Sequence, residues 1–341
     1  MGQRRRRVPA MWHHVLPESM RRPACIYLSL FVVAAACGGG SADSPAVSPA
    51  TPAPTISATA AEALTFARIG MRGTFDVPDI LHISAGFLRL PLPAAPTPPP
   101  TSSPFVGSAE VSGPDGGSAT YTWQDSQLDQ RVSTGDVFTI TFSDYVDGGL
   151  TLSGVVVIDS LSTLGVLTQG GGTWIADATL RPLSLEYRIG SATFSMDSEF
   201  GVRLESRELL EIFEVALFED TFVGVDELKA GSLWRRYETD DELSYDSSGA
   251  AYSPVLDGVV SFQTNSVVFL NTFTRKPVSG IVSVYGAGPT YVEVETQQPL
   301  GLGCTLPFPG FTCPVDLRVE EDGEAGFEAT SSVAFADFLP Q

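Results

Sequence analysis

The chain has 341 residues, 43% of them hydrophobic, enough apolar matter for a packed core, which excludes it from the disordered class. Acidic residues outnumber basic ones 40 to 20, so a phosphate backbone is a poor partner and nucleic acid binding is disfavoured. The 33 glycines and 25 prolines imply many turns.

The first informative segment is an export signal. Arg4 to Arg7, then Arg21 and Arg22, precede an apolar run from Ala24 to Ala36 (ACIYLSLFVVAAA). That run is too short to cross a bilayer, which needs about 20 residues. A positive start, a short apolar stretch and a small-residue end form a secretory signal. VAAAC resembles the bacterial lipobox. The resemblance implies that the Cys37 thiol receives a diacylglycerol and that Cys37 becomes the new N-terminus. Starting at Met20 instead of Met1 leaves a compact signal of the same kind. The alternative is an ordinary cleaved signal and a soluble exported protein. Removal of residues 1–36 leaves 14 basic against 39 acidic side chains, a net of about −25. Such a surface suits cations or a cationic partner.

Residues 37–60 read as the acylated cysteine and a flexible linker, GGGSADSPAVSPATPAPTISATA after Cys37. Fully extended, this tether reaches at most ~75 Å. Residues 61–104 read as an irregular segment. It opens on AEALTFARI, a helical turn or two, passes into mixed strand-like sequence and ends in the spacer Pro91 to Pro104. Residues 105–341 read as a β-rich body, divisible into two subdomains near residue 250.

Within that body, Val137 to Phe142 (VFTITF) and Leu150 to Ile158 (LTLSGVVVI) flank the turn signal Asp147-Gly148-Gly149 and predict a hairpin. Further strands are predicted at 173–180, 183–189, 191–196, 200–206, 211–218, 258–263, 266–271, 279–285, 290–295, 315–320 and 326–330. The stretch Glu205 to Phe218 fits both a helical stripe and a strand, and its neighbours favour the strand. The expected fold is all-β: an antiparallel sandwich, barrel or half-barrel built of hairpins, behind a disordered N-terminal tether.

Two stretches resemble a loosely defined group of uncharacterised proteobacterial lipoproteins. They are Cys37 to Ser41 (CGGGS) and Gly135 to Ile158 (GDVFTITFSDYVDGGLTLSGVVVI). The resemblance implies outer-membrane sorting, because Gly38 rather than Asp follows the cysteine. It implies no established activity.

Candidate sites are few. Cys304 and Cys313 flank TLPFPGFT and form the expected disulfide of an oxidising compartment; a metal or redox pair is the alternative. DSQLDQRVSTGD, from Asp125 to Asp136, is similar to a calcium loop with oxygen ligands from Asp125, Gln127, Asp129, Ser133 and Asp136. It departs at Gln130, where Gly is usual, and at Arg131; a polar loop with turn hydrogen bonds is the alternative. Glu320, Glu321, Asp322, Glu324 and Glu328 form a second acidic cluster. Glu293 and Glu295 alternate on one strand face, a spacing compatible with a glycosidase pair. His82 is the one histidine beyond the signal. The run Gly170 to Gly172 lacks the Lys-Ser/Thr pair of a phosphate loop.

These observations point first to a non-catalytic envelope lipoprotein with a binding or structural role. A glycan hydrolase using paired carboxylates, with walls from Trp123, Trp174 or Trp234, is the second reading. A carrier of apolar ligands inside a curled sheet is the third.

Overall fold

The computed structural model describes residues 51–90, 104–129, 131–167, 172–189, 192–207, 210–223, 225–239, 243–270, 277–296, 314–324 and 326–334. Cys37, Cys304 and Cys313, and with them the expected acylation and disulfide, lie outside these residues.

The fold is a curled antiparallel sheet with a helix inside it. Strands β1 (Phe105–Ser112), β2 (Gly116–Asp125), β3 (Val137–Asp147), β4 (Leu150–Leu164) and β5 (Thr173–Ile189) run up and down, each pairing with the next. One half of β5 pairs with β6 (Ala192–Met196), the other with β7 (Phe200–Arg207). β7 pairs with β8 (Leu210–Leu217). A small hairpin follows, β9 (Thr221–Val223) and β10 (Asp226–Leu228). The main sheet resumes when β11 (Leu233–Glu238) pairs with β8 and with β12 (Leu243–Ser253), to which β10 also binds. It continues through β13 (Gly258–Leu270), β14 (Pro277–Tyr285), β15 (Tyr291–Thr296), β16 (Pro314–Glu320) and β17 (Ala329–Ala334). Among the described residues no pairing joins β17 to β1, so the sheet stays open.

Alternation fixes which face turns inward. On β3, Phe138, Ile140 and Phe142 are buried while Thr141 and Ser143 are exposed. The β3–β4 turn uses Gly148 and Gly149 at φ 59° and 85°, the left-handed values that a tight hairpin demands. On the outer face, Arg203, Glu214 and Arg235 lie side by side across β7, β8 and β11, with Arg235 2.7 Å from Glu214. Opposite charges placed so reinforce the strand order.

The interior holds α1 (Ala63–Gly86), a helix of 24 residues followed by a 3-10 turn, Phe87–Arg89. It touches β4, β5, β8, β9 and every strand from β11 to β16, which is possible only if the sheet wraps around it. Phe66, Val77, Ile80 and Leu81 are fully buried. Each such side chain contributes up to about 1.5–3 kcal/mol. Gly70 and Gly73 let the backbone approach the wall. A Cβ on Gly70 would lie 2.3 Å from Val284 Cγ2, and one on Gly73 2.8 Å from the Phe262 ring. Trp234 Nε1 donates to the Gly73 carbonyl at that contact.

Three expectations change. Residues 61–90 are not an irregular segment but the longest regular element of the fold. The linker ends earlier than residue 60: Thr55 exchanges hydrogen bonds with Val259, and Ala58 N donates to Thr290 Oγ1 at 2.8 Å. The division near residue 250 is also absent, because β12 runs through that position as part of the same sheet. The strand reading of 205–218 holds, as the end of β7 and all of β8. No helix among the described residues is long and apolar enough to cross a membrane.

Candidate functional site

The densest set of chemically able side chains gathers where the C-terminal half of α1 meets β8, β11 and β12. Glu211 is the second residue of β8 and Glu238 the last of β11, and the register sets them directly opposite. From α1, His82 Nε2 lies 2.6 Å from Glu211 Oε1 and 4.0 Å from Glu238 Oε2. Arg89, just past the helix, pairs with the other oxygen of Glu211. Arg236 projects inward from β11 and is 3% exposed. Its Nη1 lies 2.5 Å from Glu238 Oε2 and 3.0 Å from His82 Nε2, and its Nε 3.4 Å from Asp79 Oδ1. Tyr245 on β12 donates its hydroxyl to the same Asp79 oxygen. The Phe213 ring meets the His82 ring edge-on at 5.4 Å.

Burial first, then the Arg236 charge, hold His82 below its ordinary value, against the pull of Glu211 and Glu238. The imidazole is therefore neutral at pH 7. Its Nε2 faces an acceptor on one side and a donor on the other. The ring's single proton decides whether Nε2 gives a hydrogen bond to Glu211 or takes one from Arg236. Burial raises the Glu211 and Glu238 carboxyls, but the His82 hydrogen bond with Arg89 and Arg236 outweighs it at Glu211, and Arg236 outweighs it at Glu238, so both end below the ordinary range. Arg236 is held firmly protonated by Tyr245, Asp79 and Glu238 against its burial.

His82, Glu211 and Glu238 bring three ligand atoms within 4.8 Å of one another, a metal-sized spacing. The Arg236 guanidinium, however, takes the central place that a cation would need. The cluster is an ion network that clamps the helix to three strands, β8, β11 and β12. Upstream on α1, burial lifts Asp76 to about 7, with Arg72 opposing and Asp79 adding to the rise.

The residues singled out from sequence are not brought into this cluster, except His82. In the loop between β2 and β3, Asp125 and Asp136 are fully buried. Asp125 Oδ1 accepts backbone N–H groups from Gln127, Leu128 and Asp129. Asp136 accepts from Trp123 Nε1 at 3.0 Å, from the backbone and hydroxyl of Ser126, and from those of Ser133. Asp129 binds Arg131 N, and Gln127 Nε2 donates to the Thr134 carbonyl. These carboxylates face N–H and O–H donors, the turn hydrogen bonds of a polar loop.

Glu293 and Glu295 share one arginine from the next strand. Arg318 Nη1 is 3.0 Å from Glu293 Oε1, and its Nη2 pairs with Glu295. Trp123, Trp174 and Trp234 are buried. In the β16–β17 turn, Glu320, Asp322 and Glu328 approach one another, but each accepts a backbone N–H of that turn.

No protein-family model, curated protein or solved structure matches this chain.

Proposed function

We propose that this chain is a lipid-anchored protein of the bacterial cell envelope, outer membrane in location, acylated at Cys37, whose β body has a binding or structural role and performs no chemistry. The location rests on the sequence: arginines, a short apolar run, three alanines and Cys37, followed by CGGGS. The role rests on one structural observation, that the chain's own helix lies inside the sheet, against β4, β5, β8, β9 and β11 to β16. An apolar-ligand carrier needs that space empty. A glycan hydrolase needs two carboxylates facing a cleft. Here Glu293 and Glu295 lie side by side on one strand, held by Arg318.

The test is expression of the full chain in bacteria with labelled palmitate. The expected result is label on the wild type and none on Cys37→Ala, which moves to the aqueous fraction. An unlabelled, freely soluble wild type would overturn the reading. Polysaccharide turnover that Glu293→Gln abolishes would reinstate the hydrolase.

A further inference from the structure

The two ends of the curled sheet differ in a way that the anchored reading explains. One end carries the His82 cluster, the last residues of β4 and β7 and the first residues of β5 and β8. At the other end lie the β9–β10, β12–β13, β14–β15 and β16–β17 turns, brought together by the antiparallel registers. Residues 55–60 cross this second end before α1 begins. Thr55 N donates to Val259 O at 2.9 Å, Ala287 N to Ile56 O at 2.5 Å, and Ala60 N to Glu321 Oε1 at 2.6 Å. The described chain therefore enters the body at this end.

The first end exposes Leu164 and Val166, but the aromatic rings among the exposed large hydrophobic side chains, Phe222 and Phe327, both belong to the second end. Phe222 is 57% exposed, Val225 50%, Val255 69% and Phe327 38%. Outward positions on successive strands continue the series. Phe222 aligns with Glu227, and Glu227 with Tyr252. Tyr285 stands opposite Tyr291, with ring centroids 5.8 Å apart, and Tyr291 meets Phe327 at 5.9 Å. Tyr252, Tyr285 and Tyr291 are half-buried, next in sequence to residues that face the core. The result is a partial belt of rings around one end. Rings with an apolar body and a polar tip favour the boundary between hydrocarbon and water.

We infer that this end of the sheet faces the lipid surface, with Phe222, Val225, Val255 and Phe327 touching it and the tyrosines at headgroup level. The inference rests on the anchored reading. The stretch from Cys37 to Thr55 spans at most about 60 Å when extended, so the leash alone leaves orientation free. The ring belt supplies orientation, and the acyl chain supplies affinity. Glu227, Asp257, Glu321, Asp322, Glu324 and Glu328 lie at the same end and repel anionic headgroups. The contact therefore suits a zwitterionic surface and weakens as anionic lipid is added.

The experiment uses the acylated full-length protein on vesicles of phosphatidylcholine brominated in its acyl chains. Tryptophan is introduced one site at a time by Phe222→Trp, Val255→Trp and, at the far end, Leu164→Trp. All three positions are exposed, and Trp123, Trp174 and Trp234 are buried and give a common background. The expected result is quenching by bromolipid at positions 222 and 255, at least about twofold above that at 164, falling when anionic lipid is included. Equal quenching at all three positions, or none in protein that floats with the vesicles, overturns the orientation while the anchor stands. A mass spectrum showing unmodified Cys37 overturns the anchored reading, and the orientation with it.

Discussion

Glu211 and Glu238 stand directly opposite each other on neighbouring antiparallel strands. Like charges in that position destabilise a sheet. They are tolerated because His82, Arg89 and Arg236 lie between and beside them. His82→Ala leaves the Glu211 oxygen without its 2.6 Å partner and opens a gap beneath Phe213. The expected loss is about 1–3 kcal/mol in urea unfolding at pH 7.5. The pH dependence has a definite sign. Burial and Arg236 hold the folded imidazole below its ordinary value, so the unfolded chain takes up this proton first. Stability therefore falls as pH drops through about 6.5, the unfolded value. His82→Gln should flatten that fall. An unchanged pH profile in the variant would rule His82 out as its source.

Asp76 works in the opposite direction. Its folded value is about 7, raised chiefly by burial, so the folded chain keeps a proton that the unfolded chain releases near 4. Its contribution is present on the acid side and is lost as pH rises from about 4 towards 7. Asp76→Asn should leave stability unchanged at pH 4.5 and raise it by roughly 1 kcal/mol at pH 8, less than the full shift because the side chain is only half-buried. Melting curves at pH 4.5, 6 and 8 read this directly. A loss of equal size at all three would mean that Asp76 serves through a hydrogen bond, not through its charge.

The strands were legible because VFTITF, LTLSGVVVI and YVEVET alternate or carry β-branched runs, and Asp147-Gly148-Gly149 names its own turn. The helix was not. Pro78, Gly70 and Gly73 are poor helix residues, and each is explained only by the surrounding wall. One signal was present: Arg68, Arg72, Asp76, Asp79 and His82 recur every three or four residues, the period of a single helical face. Glu211, Arg236 and Glu238 could not be assigned to His82 from sequence, because helix packing brings them to it across more than a hundred residues. The choice of an open curled sheet over a sandwich likewise depends on strand order and on the buried helix, neither of which local pattern specifies.

Gly70 offers the sharpest test of helix seating. A methyl group there meets Val284 Cγ2 at 2.3 Å, and Val284 is fully buried on a β-branched side chain with little freedom to turn. Gly70→Ala gains helix propensity of about 1 kcal/mol, and overpacking costs about 1–3 kcal/mol. The expected net result is a loss, relieved by the double variant Gly70→Ala with Val284→Ala. Additive losses in the double variant, measured by urea unfolding, would show that the two residues are not in contact.

The loop from Asp125 to Asp136 separates two accounts of the same aspartates. Asp136 accepts hydrogen bonds from Trp123, Ser126 and Ser133 through both of its oxygens. Asp136→Asn turns an amide NH2 towards those donors and leaves at least one unsatisfied, at a cost of about 1–3 kcal/mol. Near-ultraviolet circular dichroism should change as well, because the Trp123 indole loses its partner. If the loop were a calcium site, millimolar calcium would raise the melting temperature of the wild type by several degrees through mass action, and the variant would lose that rise. With the carboxylates already occupied by N–H and O–H groups, the expected shift with calcium is nil in both proteins. The variant should then melt lower by the same margin with and without the ion.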